Sequence, residues 1–211
     1  MKVVAFNGSP KKEGNTYTAL RLVAQELEKA GIDVDIVHVG NSTIHGCIAC
    51  NGCARNLNEK CVIATDSVNE WIQKMKQADG ILLGSPVYFS GIAGTMKSFL
   101  DRAFYVTSVN GGMLRHKVGA SVVAVRRSGG LPTYQQLNNF INYAEMLVPT
   151  SNYWNVIHGT APGEANQDEE GKQIMRVLGK NMAWLLKLAE SGKANLPEPA
   201  AEEKVFMNFI H

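Results

Sequence analysis

The sequence predicts an α/β chain built on an open, doubly wound parallel sheet with helices on both faces. Three observations predict it. Val3 to Phe6, Ile81 to Leu83 and Val118 to Val125 are short, almost wholly apolar runs, as strands covered on both faces are. Apolar residues at helical spacing fill the stretches between strands. Strand and helix patterns alternate along the chain, which favours a parallel sheet with right-handed crossovers.

The elements follow in order. Val3 to Phe6 is the first strand. Asn7 to Asn15 is a polar loop containing Gly8, Pro10 and Gly14. Leu20, Val23, Ala24, Leu27 and Ala30 mark a helix that Gly31 stops. Val34 to Val39 alternates apolar residues with Asp35 and His38, as a more exposed strand does. A cysteine segment spans Gly46 to Val62. Asp66 or Ser67 then caps a helix carrying Val68, Trp71, Ile72 and Met75, with Ser67 and Glu70 spaced as a capping box. Ile81 to Leu83 is a central strand, followed by a turn-rich loop from Gly84 to Gly94. Met96, Phe99, Leu100 and Ala103 stripe the next helix. Val118 to Val125 is a strand, residues 132–147 a helix, Ser151 to Ile157 a last strand. Ile174, Val177, Leu178, Met182, Leu185 and Leu188 form the final helical stripe. Asn195 to Glu203 reads as extended. Val205 to Ile210 is apolar for a terminus, so residues 191–211 are expected to form an arm, beside a domain of residues 1–190, that either returns to its own core or packs at an oligomer interface.

Composition narrows the function. Lys plus Arg is 21 and Asp plus Glu 19 in 211 residues, a net charge of +2. That balance gives no reason to invoke nucleic acid or an anionic membrane. The apolar runs are too short to span a bilayer. The N-terminus reads as a strand that starts at once rather than a secretory leader. A cytoplasmic chain with its four cysteines reduced or ligating is expected.

Open α/β sheets bind ligands beyond the carboxyl ends of their strands. Three loops take that position. Gly8-Ser9-Pro10-Lys11-Lys12-Glu13-Gly14-Asn15-Thr16 opens a helix, so hydroxyls, backbone N–H groups and a helix N-terminus are available to a phosphate. It has neither the Walker ending nor the Gly-x-Gly-x-x-Gly fingerprint. It also reads as a polar loop with a Thr16 cap. Gly84-Ser85-Pro86-Val87-Tyr88-Phe89-Ser90-Gly91 offers backbone and aromatics to a flat ring, or places Tyr88 and Phe89 in the core. Arg126-Arg127-Ser128-Gly129-Gly130 lets a ligand approach and sets an arginine beside it, or is a flexible turn with solvated arginines.

The first two loops, with Met96-Lys97-x-x-Leu100-Asp101-Arg102, resemble the NADPH-dependent FMN reductase family over about residues 1–160. The cysteine segment resembles its iron–sulfur flavoprotein branch. The resemblance implies a flavodoxin-like, five-stranded parallel sheet of order 2-1-3-4-5 and FMN as cofactor. The phosphate is then expected on Ser9, Lys11, Gly14, Asn15 and Thr16. The isoalloxazine is expected against Pro86, Val87, Tyr88, Phe89 and Ser90 and the loop of Arg127, Gly129 and Gly130. Relatives of this kind are commonly homodimers or homotetramers.

Cys47, Cys50, Cys53 and Cys61 form a C-x2-C-x2-C-x7-C array holding every cysteine of the chain. Two x2 spacings let thiolates converge, which suits a [4Fe–4S] cluster. Zinc accepts the same donors, though more often from separated pairs. Free thiols on a loop are the third reading. The polar gap from Arg55 to Lys60 predicts a mobile fourth ligand, and His45 reads as solvated.

The function expected is an FMN-dependent NAD(P)H oxidoreductase, with NAD(P)H as cosubstrate and a small-molecule electron acceptor or redox protein as partner. The alternative is an iron–sulfur flavoprotein acting as an electron carrier. A flavin-binding structural or sensor protein is the third possibility. No acid–base residue is required for hydride transfer to a flavin, so no catalytic side chain is assigned.

Overall fold

The computed structural model describes residues 1–207 and Phe209. The first strand β1 (Lys2–Asn7) lies between β2 (Asp33–His38) and β3 (Gly80–Tyr88), all parallel. A short strand β4 (Gly91–Ile92) folds back antiparallel on the end of β3. Beyond β3 come β5 (Val118–Val125) and β6 (Val156–His158), also parallel. Without β4, the five parallel strands run 2-1-3-4-5 in chain order, the flavodoxin-like arrangement.

Alternation along β1 decides what covers each face. Val3 and Ala5 pack under α1 (Asn15–Lys29) and α6 (Glu169–Gly192), with Leu20, Val23, Leu178 and Met182. Val4 and Phe6 pack under α3 (Val68–Gln77), α4 (Gly94–Val109) and α5 (Gly130–Tyr143), with Trp71, Met75, Phe99 and Leu137. Phe99 is the hub of that layer: its ring lies 4.7 Å from Phe6 and 5.4 Å, edge-on, from Trp71. The remaining helix, α2 (Gly52–Asn56), belongs to the cysteine segment.

Four local expectations are corrected. The central strand is not Ile81 to Leu83 but runs on to Tyr88. Pro86 is tolerated there because β1 pairs with β3 only as far as Gly84. The last strand holds only Val156–His158; the chain through Tyr153 and Trp154 leaves the sheet and stacks its two rings at 4.6 Å. The helix expected over 132–147 is α5, Gly130–Tyr143. The Ser67 capping box does not form: Ser67 gives no side-chain cap, and Asp66 Oδ1 accepts the Val68 N–H at 3.2 Å instead.

After Gly192 the described chain carries neither helix nor strand. It touches the body at Glu198, 3.5 Å from His116, and again at Lys204, whose Nζ donates to the Tyr143 hydroxyl at 2.8 Å and sits 4.3 Å from its ring centre. Val205, Phe206, Met207 and Phe209 face solvent. Ile210, which completes the apolar stretch in the sequence, lies outside the described residues.

Candidate functional site

The carboxyl ends of β1, β3, β5 and β6 open onto one cavity of about 240 Å³. Ser9, Lys11, Gly14, Asn15 and Thr16 line one side. Pro86, Val87 and Tyr88 line another, and Arg126 and Thr160 complete the wall. The first loop is held rigid from beneath. Asn7, the last residue of β1, accepts the Ser9 N–H at 3.0 Å and donates to the Lys12 carbonyl at 3.0 Å. His38 at the end of β2 bonds the Ser9 carbonyl at 2.8 Å. Gly40 passes so close that a Cβ there would lie 2.2 Å from the Ser9 carbonyl carbon, so only glycine fits.

Thr16 does not cap α1. The N-cap position is Gly14, with no side-chain cap, so the first-turn N–H groups stay available at the cavity. Thr16 is buried, and its hydroxyl makes no hydrogen bond among the described residues. An uncapped helix N-terminus beside an unpartnered hydroxyl suits a phosphate, so the residues present fit that group. Asn15 plays another part. Its Oδ1 accepts the Gly163 N–H at 3.1 Å and the Ala165 N–H at 3.2 Å. Its Nδ2 donates to the Ala161 carbonyl at 3.0 Å. The amide is thus spent on the loop after β6, leaving only its backbone for a ligand. That loop supplies Gly159, Thr160 and Pro162 to the cavity, a wall the sequence reading missed. The available signal was the turn-rich His158-Gly159-Thr160-Ala161-Pro162-Gly163 following the last strand.

The second loop is a two-residue hairpin turn. Phe89 and Ser90 both take left-handed backbone, with φ of 50° and 58°, and Phe89 is fully exposed at the tip. Neither lines the 240 Å³ cavity. Non-glycine residues in this conformation store of order 1–3 kcal/mol each. Gly129 packs behind the hairpin at φ 89°, where a Cβ would meet Ser90 and Val87 at 2.9 Å. Arg127, Gly129 and Gly130 do not line the cavity of the first loop; its arginine is Arg126. They line a neighbouring cavity of about 270 Å³ with Tyr153 and Trp154.

The cysteine segment lies apart from these loops, against α4. Cys47, Cys50, Cys53 and Cys61 all line one small cavity of about 20 Å³, with Cys53 buried and Cys47 and Cys50 exposed. Left-handed backbone at Ala49 and Asn51, φ 52° and 54°, turns the chain between successive cysteines. The donor set fits a four-thiolate centre. No three such ligands stand at coordination spacing among the described residues, so a bound metal has to draw the exposed thiols inward. Burial pushes the Cys53 thiol up, so ligation there must also displace a proton. The gap before Cys61, expected to be mobile, is anchored. The Glu59 N–H donates to Asn110 at 2.9 Å and its carboxylate pairs with Lys76 at 2.7 Å. Asn69 clamps Cys61 on both sides, accepting its N–H at 2.7 Å and donating to its carbonyl at 2.9 Å. These partners, on α3 and at the end of α4, lie 8 to 51 residues away and outside the segment, where polarity alone does not reveal them.

Residues 1–161 match the family described as NADPH-dependent FMN reductase. The chain belongs to this family. An iron–sulfur flavoprotein of Methanocaldococcus jannaschii is 39% identical to this FMN reductase family member over 195 residues, covering 89% of this chain and 98% of the relative. A flavodoxin from the domain Archaea superposes with a TM-score of 0.57 at 16% identity, covering 89% of this chain and 99% of that one. An NAD(P)H:quinone oxidoreductase from Methanothermobacter marburgensis does so with a TM-score of 0.62 at 14% identity, covering 86% and 96%. The two solved structures show the shared fold. Family membership makes the chain a flavin oxidoreductase. No helix among the described residues is long and apolar enough to cross a membrane.

Proposed function

We propose that this family member is an FMN-dependent NAD(P)H oxidoreductase whose four cysteines hold a [4Fe–4S] cluster. The observation that carries the flavin reading is the convergence of the first loop, the hairpin and the post-β6 loop on one cavity at the strand ends. FMN, when bound, supplies hydride acceptance at N5 and onward release of electrons. The residues bind and orient. Ser9, Gly14, Thr16 and the first turn of α1 take the phosphate through hydroxyls and N–H groups, with Lys11 adding charge at the exposed rim. Pro86, Val87 and Tyr88 border the ring, with the exposed Phe89–Ser90 turn at its outer edge. Arg127, Gly129 and Gly130 serve the neighbouring cavity, where the nicotinamide cosubstrate or an acceptor enters.

A second reading has its own observation. Four cysteines on one cavity, together with relatives named iron–sulfur flavoproteins, favour an electron carrier that couples two-electron and one-electron chemistry. Its partner is then a redox protein rather than a small acceptor. Under either reading the chain works as a homodimer or homotetramer in the cytoplasm, where thiols stay reduced. Anaerobic purification with an absorption spectrum, followed by NADH and NADPH oxidation assays, tests both. Turnover with either nucleotide supports the enzyme. Flavin and iron present without turnover support the carrier. Absence of flavin after reconstitution refutes both.

A further inference from the structure

Arg102 is the largest fully buried side chain of the described protein. It sits on α4, on a stripe with Ser98 and Tyr105, four and three residues away, that faces the cysteine segment. Gly46 lies against Ser98, and the Tyr105 hydroxyl donates to Asn51 at 2.9 Å. Between them the guanidinium uses all five of its N–H donors. Nη1 donates to the His45 carbonyl at 3.1 Å and to Asp66 Oδ2. Nη2 donates to the Ile63 carbonyl at 2.9 Å and to Asp66 Oδ1 at 3.1 Å. Nε donates to the Cys61 sulfur at 3.3 Å. Every partner lies in residues 45–66, and none is in the sheet.

A buried cation needs a counter-charge, and Asp66, with its side chain 5% exposed, provides it. That pair alone would satisfy the charge. The carbonyls of His45 and Ile63 show a second task, because they bracket the first and last cysteines of the array. The Nε contact shows a third: it is aimed at a sulfur.

We propose that Arg102 is the positioning residue of the cysteine centre, closing residues 45–66 around it and donating an N–H to the sulfur of its fourth ligand. The inference rests on the reading of the four cysteines as one centre. A hydrogen bond and a positive charge beside a ligating sulfur stabilise the more negative, reduced state of an iron–sulfur centre. Arg102 therefore sets both how firmly iron is kept and how readily the centre accepts an electron.

The test uses the full-length protein, purified and reconstituted anaerobically with ferrous iron and sulfide. Arg102→Lys keeps a charge opposite Asp66 and loses the donor to Cys61. Arg102→Met paired with Asp66→Asn removes the charge pair together, so no buried carboxylate is orphaned, and retains an acceptor for the Val68 N–H. FMN content and the melting curve report the fold. In both variants iron release to a chelator is expected to rise by roughly 10- to 100-fold, and the midpoint potential of the centre to move negative, with FMN content unchanged. Wild-type release rate and potential in either folded variant overturn the proposal alone. A wild-type chain that takes up no iron overturns the centre reading and the proposal with it.

Discussion

Replacing Asn15 by alanine removes three hydrogen bonds at once, and the structure fixes what each loss does. Two of them leave the N–H groups of Gly163 and Ala165 without a partner, and Ala165 is completely buried. The third takes one of two donors from the Ala161 carbonyl, which keeps the Glu164 N–H at 3.1 Å. At about 1 kcal/mol for each bond, with an added penalty for the buried donor, Asn15→Ala should cost about 3–4 kcal/mol. For a chain of this size that is a fall in Tm of roughly 6–16 °C. The loop so released carries Gly159, Thr160 and Pro162 into the candidate flavin cavity. FMN affinity should therefore drop with stability, by about tenfold for each 1.4 kcal/mol of lost ordering. Asn15→Asp separates the two effects. It keeps both acceptor contacts, so stability falls less, but it sets a negative charge at the phosphate seat and weakens FMN more. Thermal and urea unfolding of the flavin-free protein, with fluorescence titration of FMN, reads both quantities. Asn15→Ala within about 0.5 kcal/mol of wild type refutes the tether. Asn15→Asp binding FMN as wild type does refutes the phosphate seat.

Three more predictions follow from other contacts. Burial disfavours the Asp168 carboxylate, but N–H donation from Gly171 and His158 outweighs it and lowers its pKa. Its stabilisation is thus full above the unfolded value of about 3.9 and lost as pH falls through the lower folded value; Asp168→Ala should cost about 1 kcal/mol at pH 7 and progressively less as pH falls below the unfolded value, and a loss independent of pH would contradict this. Changing Phe89-Ser90 to Asn-Gly should raise stability by about 1 kcal/mol, since both positions need left-handed backbone; a lower Tm would show that the exposed ring makes contacts worth more than the strain. Deleting residues 204–211 should reduce the particle mass measured by light scattering, because Val205, Phe206, Met207 and Phe209 are exposed; unchanged mass and flavin content would remove the arm from any interface.

Much of the fold was legible because single-residue chemistry repeats along each element. Val3 to Phe6 read as a doubly covered strand, and it alternates between two helical layers. The stripes on α3, α4 and α6 were equally plain. What escaped was decided by partners far away in sequence. Nothing local says that Asp66 rather than Ser67 caps α3, since the choice is bound up with Arg102, 36 residues on. The short β6 could not be told from Ser151 to Ile157, because Tyr153 and Trp154 have strand propensity but stack outside the sheet. The candidate site divides the same way. Ser9, Gly14, Thr16, Pro86, Val87 and Tyr88 were expected from loop position together with the family resemblance, and they line one cavity. Arg126 instead of Arg127, and the loop of Thr160, depended on which way β5 and β6 turn at their ends.

The cysteine segment enters from β2, the edge strand, and returns into α3, so no sheet hydrogen bond passes through it. It is in effect an appendage, and an ancestral body without it would lose no strand pairing. Asn51, Glu59 and Cys61 are also tied to the body, through Tyr105, Asn110, Lys76 and Asn69, but its heaviest dependence is on Arg102. A recipient given residues 45–66 without an arginine on the fourth helix receives a carboxylate with no counter-ion and two carbonyls with no donor. A recipient that sheds the segment and keeps the arginine exposes a cation that had none of its partners elsewhere. The segment and Arg102 thus form one hydrogen-bonded unit, with Asp66 and the arginine 36 residues apart in sequence.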